Sequence, residues 1–113
     1  MGSSALLHLH ELIAFDRHQA EAAVLQRVNS AYLGDHTALV RVLGRYKLYV
    51  DTRDRGFGSH VLLDGFWEIW LTLFCARNVK RGMTAIDVGA NFGYYSLLFA
   101  ELVGAKGELI AVE

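Results

Sequence analysis

The stretch that decides the fold is residues 84–113, which read TAIDVGANFGYYSLLFAELVGAKGELIAVE. It contains two short runs rich in β-branched residues, at 84–88 and 109–112, and a longer apolar run at 93–103. The short runs are typical of buried strands, and the longer one suffices for a helix of about three turns. Because this connection is far too long for a hairpin, we expect two parallel strands joined by a helix, a βαβ unit.

The turn after the first predicted strand has two glycines, Gly89 and Gly93, and follows a carboxylate, Asp87. A dinucleotide-binding turn has the pattern G-x-G-x-x-G and holds a pyrophosphate, which a carboxylate at this place would repel. Asp87 suits instead a cation, such as the α-amino group of an amino acid. Asn91 stands where a middle glycine is often found, and asparagine enters the left-handed region at modest cost, so the turn is feasible.

Glu113 ends the second predicted strand, where an acid can accept hydrogen bonds from ribose hydroxyls. Ligands of parallel sheets bind at the carboxyl ends of the strands, so we expect Asp87, the turn and Glu113 to form one site. A ligand with an adenosine, an amino-acid portion and no phosphate fits these groups. S-adenosylmethionine (SAM) is such a ligand.

The run DVGANFGYY at 87–95, followed by a strand that ends in Val-Glu, resembles a known pair of sequence motifs. They are motif I and the acidic ribose-binding position of class I SAM-dependent methyltransferases, specifically of the FkbM family of O-methyltransferases. The run VDTRDRGFGSHVLLDGFWEIW at 50–70 is similar to what precedes motif I in many FkbM-like proteins. The resemblance covers roughly residues 46–113.

The resemblance implies transfer of a methyl group from SAM to a hydroxyl oxygen of a small molecule or sugar. It implies that the βαβ unit is the first of a Rossmann-like class I methyltransferase fold. With the patterns described below for the rest of the chain, we expect an α/β chain in which an N-terminal helix, a β-hairpin and a buried helix precede this unit. The residues expected to bind the cofactor are Asp87 at the methionine amino group, Gly89 and Gly93 where the ligand approaches closely, Asn91 in the turn, and Glu113 at the ribose. No catalytic base is identified.

Glu68, in the run GFWE, has two interpretations. A helix is predicted over residues 65–78 with Asp64 as its cap, and a carboxylate in the first turn favours the helix dipole. The resemblance favours instead a second carboxylate near the amino group or sulfonium of SAM.

Apolar residues surround nearly the whole axis of the helix predicted over residues 65–78, so we expect it to be covered on more than one side. Tyr94 and Tyr95, after the turn, either line the ligand pocket or pack in the core.

The chain before this helix shows weaker patterns. Three- and four-residue spacings predict one helix over residues 5–30, capped by Ser3 or Ser4. A connector is predicted at 32–36, then two strands at 38–43 and 46–51 with a two-residue hairpin loop, then a loop at 51–59. We therefore divide the chain into a helical extension, residues 1–36, and the N-terminal part of a SAM-binding domain, residues 37–113.

A complete methyltransferase sheet cannot fit into 113 residues. We therefore expect an incomplete sheet, weak or absent SAM binding by this chain alone, no methyl transfer by it, and self-association through exposed surface. Two alternatives remain: an inactive truncated binding or assembly module, and a nucleotide-dependent oxidoreductase half-domain.

The composition of the chain argues against several classes of partner and of location. The net charge is −1 and the basic residues are scattered, which argues against nucleic acid. The single cysteine, Cys75, excludes an intrachain disulfide, and the apolar runs are shorter than the roughly 18 residues of a membrane span. We expect a cytoplasmic protein that acts on a small molecule or sugar and forms a possible homo-oligomer. His8, His10 and Glu11 are interpreted as surface residues and not as metal ligands.

Overall fold

The computed structural model describes residues 5–113, which form two compact units, one up to Ile69 and the other from Trp70 to Glu113. The first unit contains helices α1 (Leu9–Ala14), α2 (Arg17–Leu25) and α3 (Phe57–Asp64) and strands β1 (Ser30–Gly34), β2 (Thr37–Val42) and β3 (Tyr46–Asp51). The second contains helices α4 (Ile69–Asn78) and α5 (Tyr94–Val103) and strands β4 (Thr84–Val88) and β5 (Glu108–Val112). Only the first residue of α4, Ile69, belongs to the first unit. The α/β class is confirmed. The predicted boundary after residue 36 stays a prediction, while the compact units divide at Ile69.

Asp16 divides the N-terminal helical region into two helices. Its carboxylate accepts a hydrogen bond from the backbone N–H of Gln19 at 2.8 Å, and Gln19 Oε1 accepts one from the backbone N–H of Asp16 at 3.0 Å. This capping box begins a new helix at Arg17. The prediction of one helix over residues 5–30 is wrong, because apolar spacing on both sides of a cap can match a single helical period. The predicted cap, Ser3 or Ser4, lies outside the described residues.

Strands β1, β2 and β3 form an antiparallel sheet in that order. The predicted connector at 32–36 is wrong, since β1 occupies most of it and pairs with β2. The predicted two-residue loop is wrong as well, because Val42 pairs with Tyr46 and three residues lie between them. Leu43 and Gly44 both have positive φ, 55° and 66°, which closes this turn.

One face of this sheet packs into the core of the first unit. Along β3, Leu48 and Val50 are buried while Lys47 and Tyr49 are exposed, as the alternation predicted. The buried hydrophobic residues of the unit come from the sheet, the helices and the loops between them: Leu7, Leu12, Ala20, Val24, Ala38, Val40, Val42, Leu43, Leu48, Val50, Val61 and Ile69.

Gly65 ends α3, and α4 begins at Ile69, four residues after the start of the helix predicted over residues 65–78. Gly65 has φ 80° and donates its N–H to Val61 O at 2.9 Å, which ends α3. This is the left-handed helix ending that glycine favours, and Asp64 is the last residue of α3 instead of a cap. A Cβ at position 65 would also lie 3.0 Å from Val28 Cβ. The predicted loop at 51–59 is wrong in its last residues, because α3 begins at Phe57.

Helix α4 is covered on one side only. Ile69, Thr72, Leu73 and Ala76 are buried, and they recur every three or four residues along one face. Trp70 and Phe74 are 57% and 62% exposed. The expectation that this helix is covered on more than one side is wrong, and its large aromatic side chains lie at the surface.

The second unit contains the predicted βαβ arrangement. Strands β4 and β5 are parallel, with Thr84 paired to Glu108 and Val88 paired to Val112. Helix α5 connects them and contacts both strands. The predicted parallel pairing and the connecting helix are confirmed, and β5 begins one residue earlier than the sequence indicated.

The face of this sheet opposite α5 is apolar and open. The register places Ile86 beside Ile110 and Val88 beside Val112 on that face. These side chains are 60%, 43%, 79% and 45% exposed, respectively. In the part of the chain that the structure describes, no third strand joins β4 or β5. Parallel sheets are normally covered on both faces, so this surface favours association.

We expect the 113-residue chain to self-associate through this face at micromolar concentration, as measured by size-exclusion chromatography with light scattering. Val88→Lys should raise the dissociation constant by about tenfold or more, because a charge would be buried in an apolar contact. The control is Leu63→Lys, which adds the same charge at a side chain on α3 that is 73% exposed. A monodisperse monomer would contradict the prediction, as would equal effects of the two variants.

Candidate functional site

The carboxyl ends of β4 and β5 bring five of the six predicted site residues to one edge of the sheet. Asp87 pairs with Ala111 and Val88 with Val112, and Glu113 follows Val112 directly. Gly89, Asn91 and Gly93 lie in the turn that leaves β4. The parallel register therefore places the turn beside the end of β5, as expected for a βαβ unit.

Backbone hydrogen bonds attach the turn to the neighbouring strand. The N–H groups of Gly89 and Ala90 both donate to Val112 O, at 2.7 and 3.0 Å. The N–H of Gly93 donates to Ala90 O at 2.9 Å, and the N–H of Leu97 donates to Gly93 O at 3.0 Å, which begins α5. The path of the chain from strand to helix is thus fixed by the backbone itself.

Three residues of the turn have positive φ: Gly89 at 71°, Asn91 at 53° and Gly93 at 97°. The conformation of Asn91 agrees with the expectation that asparagine replaces a glycine here. A Cβ at Gly89 or Gly93 would meet no protein atom within 4 Å. Conformation and not packing therefore requires these two glycines, and the space in front of them is open to a ligand.

Asp87 is half-buried, and one of its two carboxylate oxygens is occupied. Ser96 Oγ donates a hydrogen bond to Asp87 Oδ2 at 2.6 Å. The other oxygen, Oδ1, has no hydrogen-bond partner among residues 5–113. Ser96 was not predicted as a site residue. Its only signal was a hydroxyl in the first turn of the helix that follows the motif.

Cys75, in α4, is half-buried. Burial foremost, and then the negative charge of Asp87, raises the pKa of the Cys75 thiol. A raised pKa disfavours the thiolate, which is the nucleophilic form of cysteine.

The two tyrosines after the turn have different environments. Tyr94 is 2% exposed, and its hydroxyl lies 3.0 Å from Thr72 Oγ1. Tyr95 is half-buried and contacts the rings of Tyr94 and Phe99. Tyr94 therefore packs in the core of the second unit, and Tyr95 is the tyrosine that remains a candidate for the ligand pocket.

Glu68 belongs to the first unit, whereas the other predicted site residues belong to the second. It directly precedes α4 instead of lying in the first turn of that helix. Its backbone has φ 43°, an uncommon value for glutamate. The predicted position of Glu68 within a helix is wrong, and its role at a ligand stays a prediction.

Residues 5–113 contain neither a cluster of metal-ligating side chains nor a membrane-spanning helix. No group of three or more His, Cys, Asp and Glu side chains there could hold a metal ion. His8 and His10 stack on each other, and Glu11 accepts a hydrogen bond from the backbone N–H of His8 at 3.0 Å. No helix in the same range is long and apolar enough to cross a membrane.

Comparisons of the chain with models of known protein families, with curated proteins and with solved structures found no significant match. The resemblance to FkbM methyltransferases therefore remains a hypothesis that rests on the residues quoted above. The geometry of the second unit is the independent ground on which a function can be proposed.

The turn should tolerate no side chain at position 93 without loss of stability. We expect Gly93→Ala to lower the free energy of unfolding by about 1–2 kcal/mol, because L-residues are strained at positive φ. Gly93→Asn should cost less, since asparagine enters this region more easily. Chemical denaturation of both variants measures the difference.

Gly82→Ala is the matched control. Gly82 has φ 87° and open space around its Cβ position, so alanine there carries the same strain outside the turn. A Gly93→Ala variant as stable as the wild type would contradict the conformation described for the turn.

Proposed function

We propose that the carboxyl edge of β4 and β5 binds the amino-acid and ribose portions of SAM. On this proposal the chain is the N-terminal part of a Rossmann-like, SAM-dependent O-methyltransferase related to the FkbM family. The observation that carries the proposal is the Asp87 carboxylate, which offers a free oxygen at the same sheet edge as an open glycine turn and Glu113.

The residues present fit this cofactor better than a dinucleotide. A pyrophosphate requires an electropositive turn, whereas a half-buried carboxylate, Asp87, lies directly before this one. An α-amino group is a cationic donor and complements Asp87 Oδ1, which has only acceptor capacity. The open space at Gly89 and Gly93 lets a ligand approach the backbone. Glu113 is exposed and supplies acceptors for two ribose hydroxyls.

In the proposed reaction, the bound SAM supplies a methyl group on a sulfonium, which already contains a good leaving group. The main task of the protein is therefore to align this methyl group with a hydroxyl oxygen of a small molecule or sugar. Asp87 and Glu113 would hold the amino-acid and ribose portions of the cofactor, and the turn would fix its distance from the sheet. Where the hydroxyl must lose its proton, a general base is also needed, and none is assigned.

A second candidate is an inactive binding or assembly module. The open apolar face of Ile86, Val88, Ile110 and Val112 favours it, because that surface suits a partner. Covering this face would leave the ligand edge available, so binding of a partner and binding of a ligand are compatible. No observation favours an oxidoreductase half-domain. The cytoplasmic location stays a prediction.

We expect this chain, or a longer chain that contains it, to bind S-adenosylhomocysteine and not NAD, as measured by heteronuclear NMR titration. Asp87→Ala and Glu113→Ala should each weaken binding by roughly 1–3 kcal/mol, because a ligand donor would lose its acceptor. Binding by the 113-residue chain itself should be weak, and a radiolabelled methyl-transfer assay should detect no turnover.

The control for these substitutions is Glu108→Ala. Glu108 is an exposed carboxylate of β5 that pairs with Thr84, at the opposite end of the strands from the site. Its removal changes the net charge equally and should leave binding unchanged. Unaltered affinity in both site variants, or equal losses in all three, would overturn the assignment.

Glu68 allows a separate test. If it acts only as a carboxylate beside a helix start, Glu68→Gln should cost about 0.3–1 kcal/mol of stability or less and leave ligand affinity intact. We expect the other result, in which the affinity for S-adenosylhomocysteine falls by more than the stability does. Calorimetric titration and thermal unfolding of the same preparation compare the two losses, and a loss confined to stability would remove Glu68 from the site.

A further inference from the structure

The hydrogen bond between Ser96 and Asp87 connects two elements across the turn. Ser96 is the third residue of α5, and Asp87 lies near the end of β4. The donor and acceptor oxygens are 2.6 Å apart, near the short end of the range for a hydroxyl donor. Both residues are half-buried, so water competes less than at a fully exposed pair.

A serine within a helix does not usually make this bond. Its hydroxyl commonly donates a hydrogen bond to the backbone carbonyl three or four residues earlier. Ser96 instead donates its single hydroxyl proton to Asp87, because an ionised carboxylate can only accept. The bond occupies Oδ2 and leaves Oδ1 without a hydrogen-bond partner among residues 5–113.

We infer that Ser96 is a positioning residue that holds the Asp87 carboxylate ready for the α-amino group of a ligand. This inference rests on the proposed function and adds the residue that gives the site its preference for ligands with an amino-acid portion. An aspartate whose carboxylate is already fixed loses less conformational freedom when a ligand binds. Ser96 itself contacts Asp87 and not the ligand.

Two probes separate positioning from general support of the fold. S-adenosylhomocysteine carries the amino-acid portion, and 5′-methylthioadenosine carries the same nucleoside thioether without it. In NMR titrations of the full chain, Ser96→Ala should weaken binding of S-adenosylhomocysteine by about threefold to tenfold, the range of one hydrogen bond. Its affinity for methylthioadenosine should be unchanged.

A second pair of variants distinguishes loss of the hydroxyl from loss of folding. Ser96→Thr keeps the hydroxyl and Ser96→Val replaces it with a methyl group in nearly the same shape. We expect Ser96→Thr to preserve the ratio of the two affinities and Ser96→Val to reduce it as Ser96→Ala does. The comparison therefore depends on the hydroxyl alone.

The outcomes distinguish this inference from the function on which it rests. If the wild type binds neither probe, the proposed function fails and the inference fails with it. If the wild type prefers S-adenosylhomocysteine and Ser96→Val keeps that preference, only the inference is overturned. Equal losses for both probes in Ser96→Ala and Ser96→Val would assign Ser96 a structural role and also overturn it.

Discussion

The arrangement of the second unit depends on the two hydrogen bonds that Val112 O accepts from Gly89 and Ala90. They join the turn after β4 to the last residue of β5, and so convert two adjacent strand ends into one continuous edge. The bond from Gly89 continues the parallel ladder, and the bond from Ala90 to the same oxygen forms where the chain turns at Gly89, whose φ is 71°. The parallel register brings Asp87 and Glu113 to this edge, and the two bonds hold the turn beside them.

Side-chain bonds extend the same constraint into the helices. Ser96 connects the first turn of α5 to Asp87, and the Tyr94 hydroxyl connects it to Thr72 of α4. The start of α5 is therefore held by the strand on one side and by another helix on the other. A turn fixed in this way can present its backbone and a carboxylate to a ligand with little reorganisation, which is what close recognition of a small cofactor requires.

The sequence was most informative where a single local rule decides the structure. Short β-branched runs around a longer apolar run predicted β4, α5 and β5, and the left-handed tendency of asparagine predicted the turn at Asn91. It failed where a cap interrupts an apolar period, as Asp16 does, because spacing alone does not show an interruption. The bond from Ser96 could not be predicted, since it depends on where two separate elements meet.

The two faces of the β4–β5 sheet carry different features of this unit. The Asp87 carboxylate lies on one face, and the open apolar surface is the other. Successive side chains of a strand point to opposite faces, so Asp87 lies on the side of α5, where Ser96 reaches it, and Val88 lies on the open side. A partner that covers Ile86 and Val88 would therefore leave the Asp87 carboxylate accessible at the strand end. Such a partner would also contact Val112, whose carbonyl oxygen holds the turn and which directly precedes Glu113, so it could affect ligand binding from either strand.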